Sequence, residues 1–238
     1  MNKNIYKASA LSASFLFTLS VARAQTAVPI NNFSFEQDVT PTANTIVPTG
    51  WTGYYDGQNN TFIGSQATAA AQYPGTPPFS APANGNQFLY VNNDGTGAAT
   101  DGIYQNVGVL LADTTYTLTV AVGSRLDWSP GPNGQGTLSL LNGTDQTGAV
   151  LASTTSSVAS QTGTFTDYSA TFTTSGSVSG DLIVDLSVVG TPGTFTQGDF
   201  DNVELTASTV PEPGALALLG GGLALLPVVL RRKQACAK

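Results

Sequence analysis

Histidine is absent from all 238 residues. That removes Ser-His-Asp and Cys-His catalysis, the histidine-bearing zinc hydrolase patterns and any imidazole general base. Cysteine occurs once, at Cys236, behind a basic cluster near the C-terminus. The stretch from residue 25 to 209 therefore has no disulfide, although an export route would permit one. Cations are almost as scarce there. Of eight lysines and arginines, only Arg125 lies in that stretch, against fourteen acids. Such a surface repels phosphates, so nucleic acid is nearly excluded as a partner. It suits a hard cation such as calcium better than an anionic polymer. Long apolar runs are missing from this stretch as well; they occur only at the two ends.

At the front, Lys3 and Lys7 precede the apolar run Ala8 to Val21, and Ala22-Arg23-Ala24 supplies an A-x-A site. This order predicts a secretory signal peptide over residues 1–24, helical in its apolar part and cut after Ala24. At the back, Pro211-Glu212-Pro213 precedes the uncharged run Ala215 to Leu230, and Arg231-Arg232-Lys233 follows. The prolines fix φ and remove donors, so a stiff, extended peptide is expected there. Sixteen helical residues span about 24 Å. A bilayer core needs about 20 residues, so the run is marginal as a permanent anchor. The basic cluster suits the cytoplasmic side. The three parts in this order resemble a PEP-CTERM sorting signal. The resemblance implies export and transient anchoring in the inner membrane through a C-terminal hydrophobic helix. It also implies processing by an exosortase-like enzyme in a bacterium that makes exopolysaccharide.

Between the two signals lie about 185 residues, the size of one ordinary domain (residues 25–209). Period-two alternation recurs there. Tyr116, Leu118, Val120 and Val122 fall on one face of a strand, with Thr115, Thr117, Thr119 and Ala121 on the other. Leu138 and Leu140 repeat the pattern, as do Tyr168, Ala170 and Phe172. Leu182 to Val189 is apolar on both sides, as a central strand would be. Further strands are expected at 87–91, 102–107, 149–153 and 200–205. Residues 66–86, rich in proline, glycine and alanine, read as a long loop. No segment has helical periodicity with caps. The fold class expected is all-β, a β-sandwich.

Five short pieces, in order, resemble the galactose-binding-like jelly roll of many carbohydrate-binding modules. They are Ile30 to Glu36, Gly50-Trp51-Thr52, Ile103 to Val107, Ala112 to Leu118 and Asp199 to Leu205. Trp51 is assigned to the core by its place in that pattern. In many such modules the opening and closing strands share a structural calcium. The resemblance therefore implies Glu36 and Asp201 as carboxylate ligands, with backbone carbonyls completing the six to eight oxygens that calcium takes. The alternative is that both are edge or turn residues with no ion.

For a saccharide, the best cluster is Arg125, Asp127 and Trp128, a ring beside polar partners. Tyr54 and Tyr55 are a second option. The bland alternative pairs Arg125 with Asp127 and lets Trp128 cap the core. Paired acids such as Asp181 with Asp185, or Asp199 with Asp201, could hydrolyse glycosides without histidine. Aspartates occur in every turn, however, and no residue pattern singles one out. The expectation is an exported, non-enzymatic surface or matrix protein associated with biofilm or exopolysaccharide. Saccharide binding is the alternative, and a histidine-free glycoside hydrolase is less favoured.

Overall fold

The computed structural model describes residues 24–38, 45–55, 63–67, 71–75, 79–95, 100–127, 135–156, 161–190 and 192–210. The signal peptide apart from Ala24, Trp128 and the whole sorting tail from Pro211 onward lie outside the described residues. So do both expected terminal helices.

Eleven strands run through the described residues. They are β1 (Thr26–Val28), β2 (Thr52–Tyr54), β3 (Ile63–Ala67), β4 (Gln87–Asn93), β5 (Thr100–Val109) and β6 (Thr114–Ser124), followed by β7 (Thr137–Asn142), β8 (Ala149–Thr155), β9 (Thr164–Thr173), β10 (Asp181–Val189) and β11 (Thr196–Thr209). One sheet has the order β3-β4-β11-β6-β9, with β1 added to β11; the other has the order β2-β5-β10-β7-β8. Every pairing is antiparallel. This is a sandwich, as the alternation predicts, and a jelly roll, as the resemblance to the galactose-binding-like modules implies. All eight strands read from the sequence are present. Three short strands, β1, β2 and β3, carry too few alternating residues to announce themselves.

The packing follows from the period of two. On β6, Tyr116, Leu118, Val120 and Val122 enter the core. Threonines 115, 117 and 119 face outward and bond Thr173, Thr171 and Ser169 of β9 at 2.9, 3.3 and 2.9 Å. On β10, Leu182, Val184, Leu186 and Val188 pack inward. Trp51 is 7 % exposed and lies 5.8 Å from Phe35 in the same core.

The resembling pieces are tied together by one amide. Gln105 accepts from Asn31 N–H at 2.8 Å and donates to the carbonyls of Asn31 and Gly50 at 3.1 and 2.9 Å. Gly50, at φ +87°, brings its backbone against Asn31, where a Cβ would come within 2.9 Å. The opening segment, the Gly-Trp turn and the Ile-Tyr-Gln strand thus form one joint.

Candidate functional site

Two strands are buried on both faces, and each builds something on its outer side. On β4, Leu89 and Val91 join the main core, while Phe88 and Tyr90 face away from it and form a second apolar cluster with Tyr73. The register sets Tyr90 beside Asp199 of β11, and Asp199 beside Gly123 of β6. Gly123 in turn lies beside Phe165 of β9. A Cβ on Gly123 would come within 2.5 Å of Tyr73 Oη and 2.6 Å of the Phe165 ring. The bare glycine is what lets the Tyr73 ring lie on the sheet.

Four rings close this outer cluster. Tyr73 stacks on Phe165 at 4.6 Å, and Phe79 meets Phe165 edge-on at 5.0 Å. Phe88 sits 5.4 Å from Tyr73. Between residues 73–74 and 79–82 on one side and the start of β9 on the other opens a cleft of ≈ 190 Å³ lined by Tyr73, Pro74, Phe79, Ser80, Pro82 and Phe165, among others.

Beneath the rings lies a carboxylate. Asp199 is 1 % exposed. Tyr73 donates to its Oδ2 at 2.5 Å and Gln197 Nε2 to its Oδ1 at 2.6 Å. Burial pushes the Asp199 pKa up to about 6, against the opposing pull of these bonds and of the Arg125 charge. Burial, then the neighbouring carboxylate, pushes Tyr73 well above its ordinary value, so it stays a neutral donor. Burial lowers the pKa of Arg125, but its bond to Asp127 and the charge of Asp199 outweigh this and raise it. Two further polar atoms face the same patch. Gln197 and Asn92 are register partners two positions along from Asp199 and Tyr90, and so on the same face. Gln197 Oε1 and Asn92 Oδ1 are buried with no hydrogen-bond partner among the described residues. Orphaned buried acceptors are costly and are usually met by water or ligand.

Arg125 forms a fork with Asp127, at 2.9 Å from Nε to Oδ1 and 3.0 Å from Nη2 to Oδ2. The guanidinium side chain is 15 % exposed. Of the Arg125, Asp127 and Trp128 cluster, the first two meet at the rim of the Asp199 patch, and Trp128 is outside the described residues.

The expected metal pair also converges on one segment. Glu36 Oε1 accepts from Asn86 and Gln87 N–H, both at 2.7 Å. Asp201 Oδ2 accepts from Asn84 N–H at 2.8 Å and Oδ1 from Asn202 N–H at 2.7 Å. Gly85, at φ +79°, lets the backbone pass against the Glu36 carboxylate. Asp201 is fully buried; burial first, and then the charge of Glu36, raises its pKa. Among the described residues no three Asp, Glu, His or Cys gather as a metal group. A calcium here would draw two carboxylates and fill its shell with carbonyls and water, an oxygen set that suits it.

Asp199 and Asp201 do point to the same face, but they serve different neighbours. Asp199 belongs to the rings, Asp201 to the 84–87 segment. Asp181 and Asp185 do not converge either. Asp181 accepts from Asn106 at 2.8 Å near the surface. Asp185 lies on the outer face of the second sheet and accepts from Tyr54 at 2.8 Å. Tyr73, Phe79, Phe88, Phe165 and Gln197 escaped the sequence reading. The one signal was the density of aromatics and prolines in a stretch read as a plain loop.

Residues 26–206 match the model of the HpiC1-like family, described as HpiC1 cyclase, and residues 209–233 match the PEP-CTERM protein-sorting motif. That motif implies export, C-terminal membrane anchoring before processing, and an exosortase-like processing system. The Stig cyclase FisC of Fischerella sp. TAU, solved in complex with (3Z)-3-(1-methyl-2-pyrrolidinylidene)-3H-indole, is 25 % identical. The likeness covers 79 % of this chain and 100 % of that one, with a TM-score of 0.64. A cyclase of Fischerella sp. TAU in complex with 4-(1H-indol-3-yl)butan-2-one is 24 % identical over 78 % and 99 % of the two chains, at a TM-score of 0.63. The arabinose-bound α-L-arabinofuranosidase MgGH51 shares the fold at 17 % identity, over 76 % of this chain and 26 % of that one, with a TM-score of 0.53. No curated protein matches the chain. With most of its length under one family model and a sandwich of the same form, the chain belongs to the HpiC1 cyclase-like family.

Proposed function

We propose that the exported body is a small-molecule site of the cyclase type, in which Asp199 hands a proton to a compact aromatic ligand held against Phe79, Phe165 and Tyr73. The observation that carries this reading is a buried carboxyl group gripped by Tyr73 and Gln197 under a cluster of rings. A carboxylic acid that titrates near neutrality serves as a general acid without histidine. Arg125 is near enough to favour the carboxylate once the proton has left. Gln197 Oε1 and Asn92 Oδ1 offer acceptors to ligand N–H groups. The indole-bearing ligands of the Fischerella structures make a flat aromatic heterocycle the first class to try. Ring closure that takes up one proton and releases one needs no oxidant or reductant, and no redox-active group is called for. The test is a thermal-shift and heteronuclear NMR screen of indoles and related heterocycles on the purified chain. Binding that raises the melting temperature and shifts resonances of Phe165, and that disappears in Phe165→Ala, supports the site. No binding by any aromatic heterocycle between pH 5 and 8 overturns it.

A second reading rests on the Arg125–Asp127 fork at the rim. In it the body is non-enzymatic and holds a saccharide of a biofilm or exopolysaccharide matrix. A glycan array separates the two. Binding that Trp128→Ala abolishes establishes this module; silence across neutral and acidic glycans counts against it. For either reading we propose a structural calcium at Glu36 and Asp201. A chelator is expected to lower the melting temperature, and Asp201→Ala to remove that response. An unchanged melting curve would sink the ion.

A further inference from the structure

The two ends of the described chain meet at one end of the sandwich. β11 stops at Thr209, paired with Thr114 at the start of β6. Val210 N–H then bonds the Asp113 carbonyl at 2.6 Å, which fixes where the chain leaves. Ala24, two residues before β1, lines a groove of ≈ 370 Å³ with Thr26, Val28, Leu111, Ala207 and Thr209. The turn between β5 and β6 borders this groove. It carries Leu111, 54 % exposed, and follows Val109, the last residue of β5, 66 % exposed; both are among the most exposed apolar side chains in the described residues.

The sorting tail starts one residue beyond Val210. Residues 211–214 reach at most about 14 Å before the apolar run begins at Ala215. A tail seated in a bilayer therefore holds this end of the sandwich at the membrane surface. Arg125 follows the last residue of β6, at the opposite end. Ten steps of strand at about 3.3 Å separate the two ends by roughly 33 Å.

We propose that the membrane-anchored chain rests its β5–β6 turn on the lipid interface, with Val109 and Leu111 in the headgroup layer and the Asp199 site held away from it. The occupant is lipid because the tail brings a bilayer to this end and to no other. Three acids at the same end limit the depth. Asp113 bonds Gly176 N–H, Asp145 bonds Thr147, and Asp181 bonds Asn106, at 3.0, 2.8 and 2.8 Å. Their charges stay in water, so only the two apolar side chains enter. Two side chains are too few to hold a domain on lipid by themselves. The contact orients an anchored body and does not recruit a free one. The inference rests on the anchoring that the sorting motif implies and is independent of any proton transfer at Asp199.

The experiment uses the full chain in vesicles of phosphatidylethanolamine and phosphatidylglycerol. Cys236→Ser removes the native thiol, and an environment-sensitive label is placed through Leu111→Cys or, at the far end, Thr162→Cys. The label at 111 is expected to shift to the blue, to be quenched by a headgroup-depth lipid quencher and to escape aqueous iodide. The label at 162 is expected to remain open to iodide. Labels equally open to iodide on a chain that still floats with the vesicles overturn the proposal and leave the anchoring intact. A chain that does not float with vesicles overturns the anchoring and the proposal with it.

Discussion

Asp199 and Asp185 occupy matching places on opposite sheets. Each faces outward from the sandwich, is almost fully buried, and accepts a hydrogen bond from a tyrosine. Each tyrosine lies over a glycine of the neighbouring strand: Tyr73 over Gly123, and Tyr54 over Gly102, where a Cβ would come within 2.6 Å of Tyr54 Oη. Burial pushes both acids to about 6. The difference lies in what surrounds them. Asp199 lies under Tyr73, whose ring lines a cleft with Phe79 and Phe165, and has a nearby arginine and two orphaned amide oxygens on its face of the sheet. Asp185 has Tyr54, Tyr104 and Ser187. Burial raises both acids against the pull of their hydrogen bonds; the neighbours decide whether a proton held there has anything to react with.

The comparison breaks most visibly at the acids. If the proposed activity is found, Asp199→Asn is expected to lower its rate by about 100- to 10,000-fold. Asp185→Asn should leave it within about twofold, because the proton donor under the rings remains. Equal losses from the two changes would place the chemistry elsewhere. Steady-state rates with each variant decide it.

Next comes pH. Folded, both acids hold a proton up to about 6; unfolded, they release it near 3.8. The folded chain binds more protons between these values, so stability falls as pH rises through that window and then levels off. Each acid contributes roughly 3 kcal/mol to that fall. Melting temperatures are expected to be higher at pH 4.5 than at pH 7.5, in calcium-saturated buffer. Either Asn variant should lessen the fall by that acid's own share of roughly 3 kcal/mol. A profile that rises with pH would contradict the burial of both groups.

A smaller effect comes from the glycines. Gly123→Ala and Gly102→Ala each push a methyl group into a tyrosine and should cost about 1–3 kcal/mol by chemical denaturation. Only Gly123→Ala should also weaken ligand binding. The smallest effect is expected from the hydroxyls. Tyr73→Phe and Tyr54→Phe each take one donor from a buried carboxylate, a loss of about 1–2 kcal/mol at neutral pH that shrinks once the acid is protonated. A loss independent of pH would mean that packing, not the hydrogen bond, was removed.

Much of this was legible before any coordinates. The alternation over Tyr116 to Val122 and the two-sided apolar run over Leu182 to Val189 name strands because side chains point to opposite faces in turn. Trp51 and Gln105 were readable from short pieces in a fixed order, and the structure joins them. The cluster around Asp199 was not legible. Tyr73, Phe88, Phe165 and Asp199 come from three strands and one loop, 126 positions apart at the widest hydrogen bond. No local pattern distinguishes Asp199 from Asp181. Gly123 in particular reads as a weak point of a strand and turns out to be the floor of the site.

Local order along the chain set the address and the class of fold. Both depend on local order: charge, apolar run and proline along the chain, and a period of two along each strand. Those features survive in any conformation. The packed fold settled which of the fourteen acids lose their water, because desolvation depends on residues brought across the sheet from far along the chain. It also decided that the tail leaves from the end opposite Arg125. That follows from the antiparallel course of β6 and β11, which carries the chain from the loop after Ser124 to Val210 at the other end.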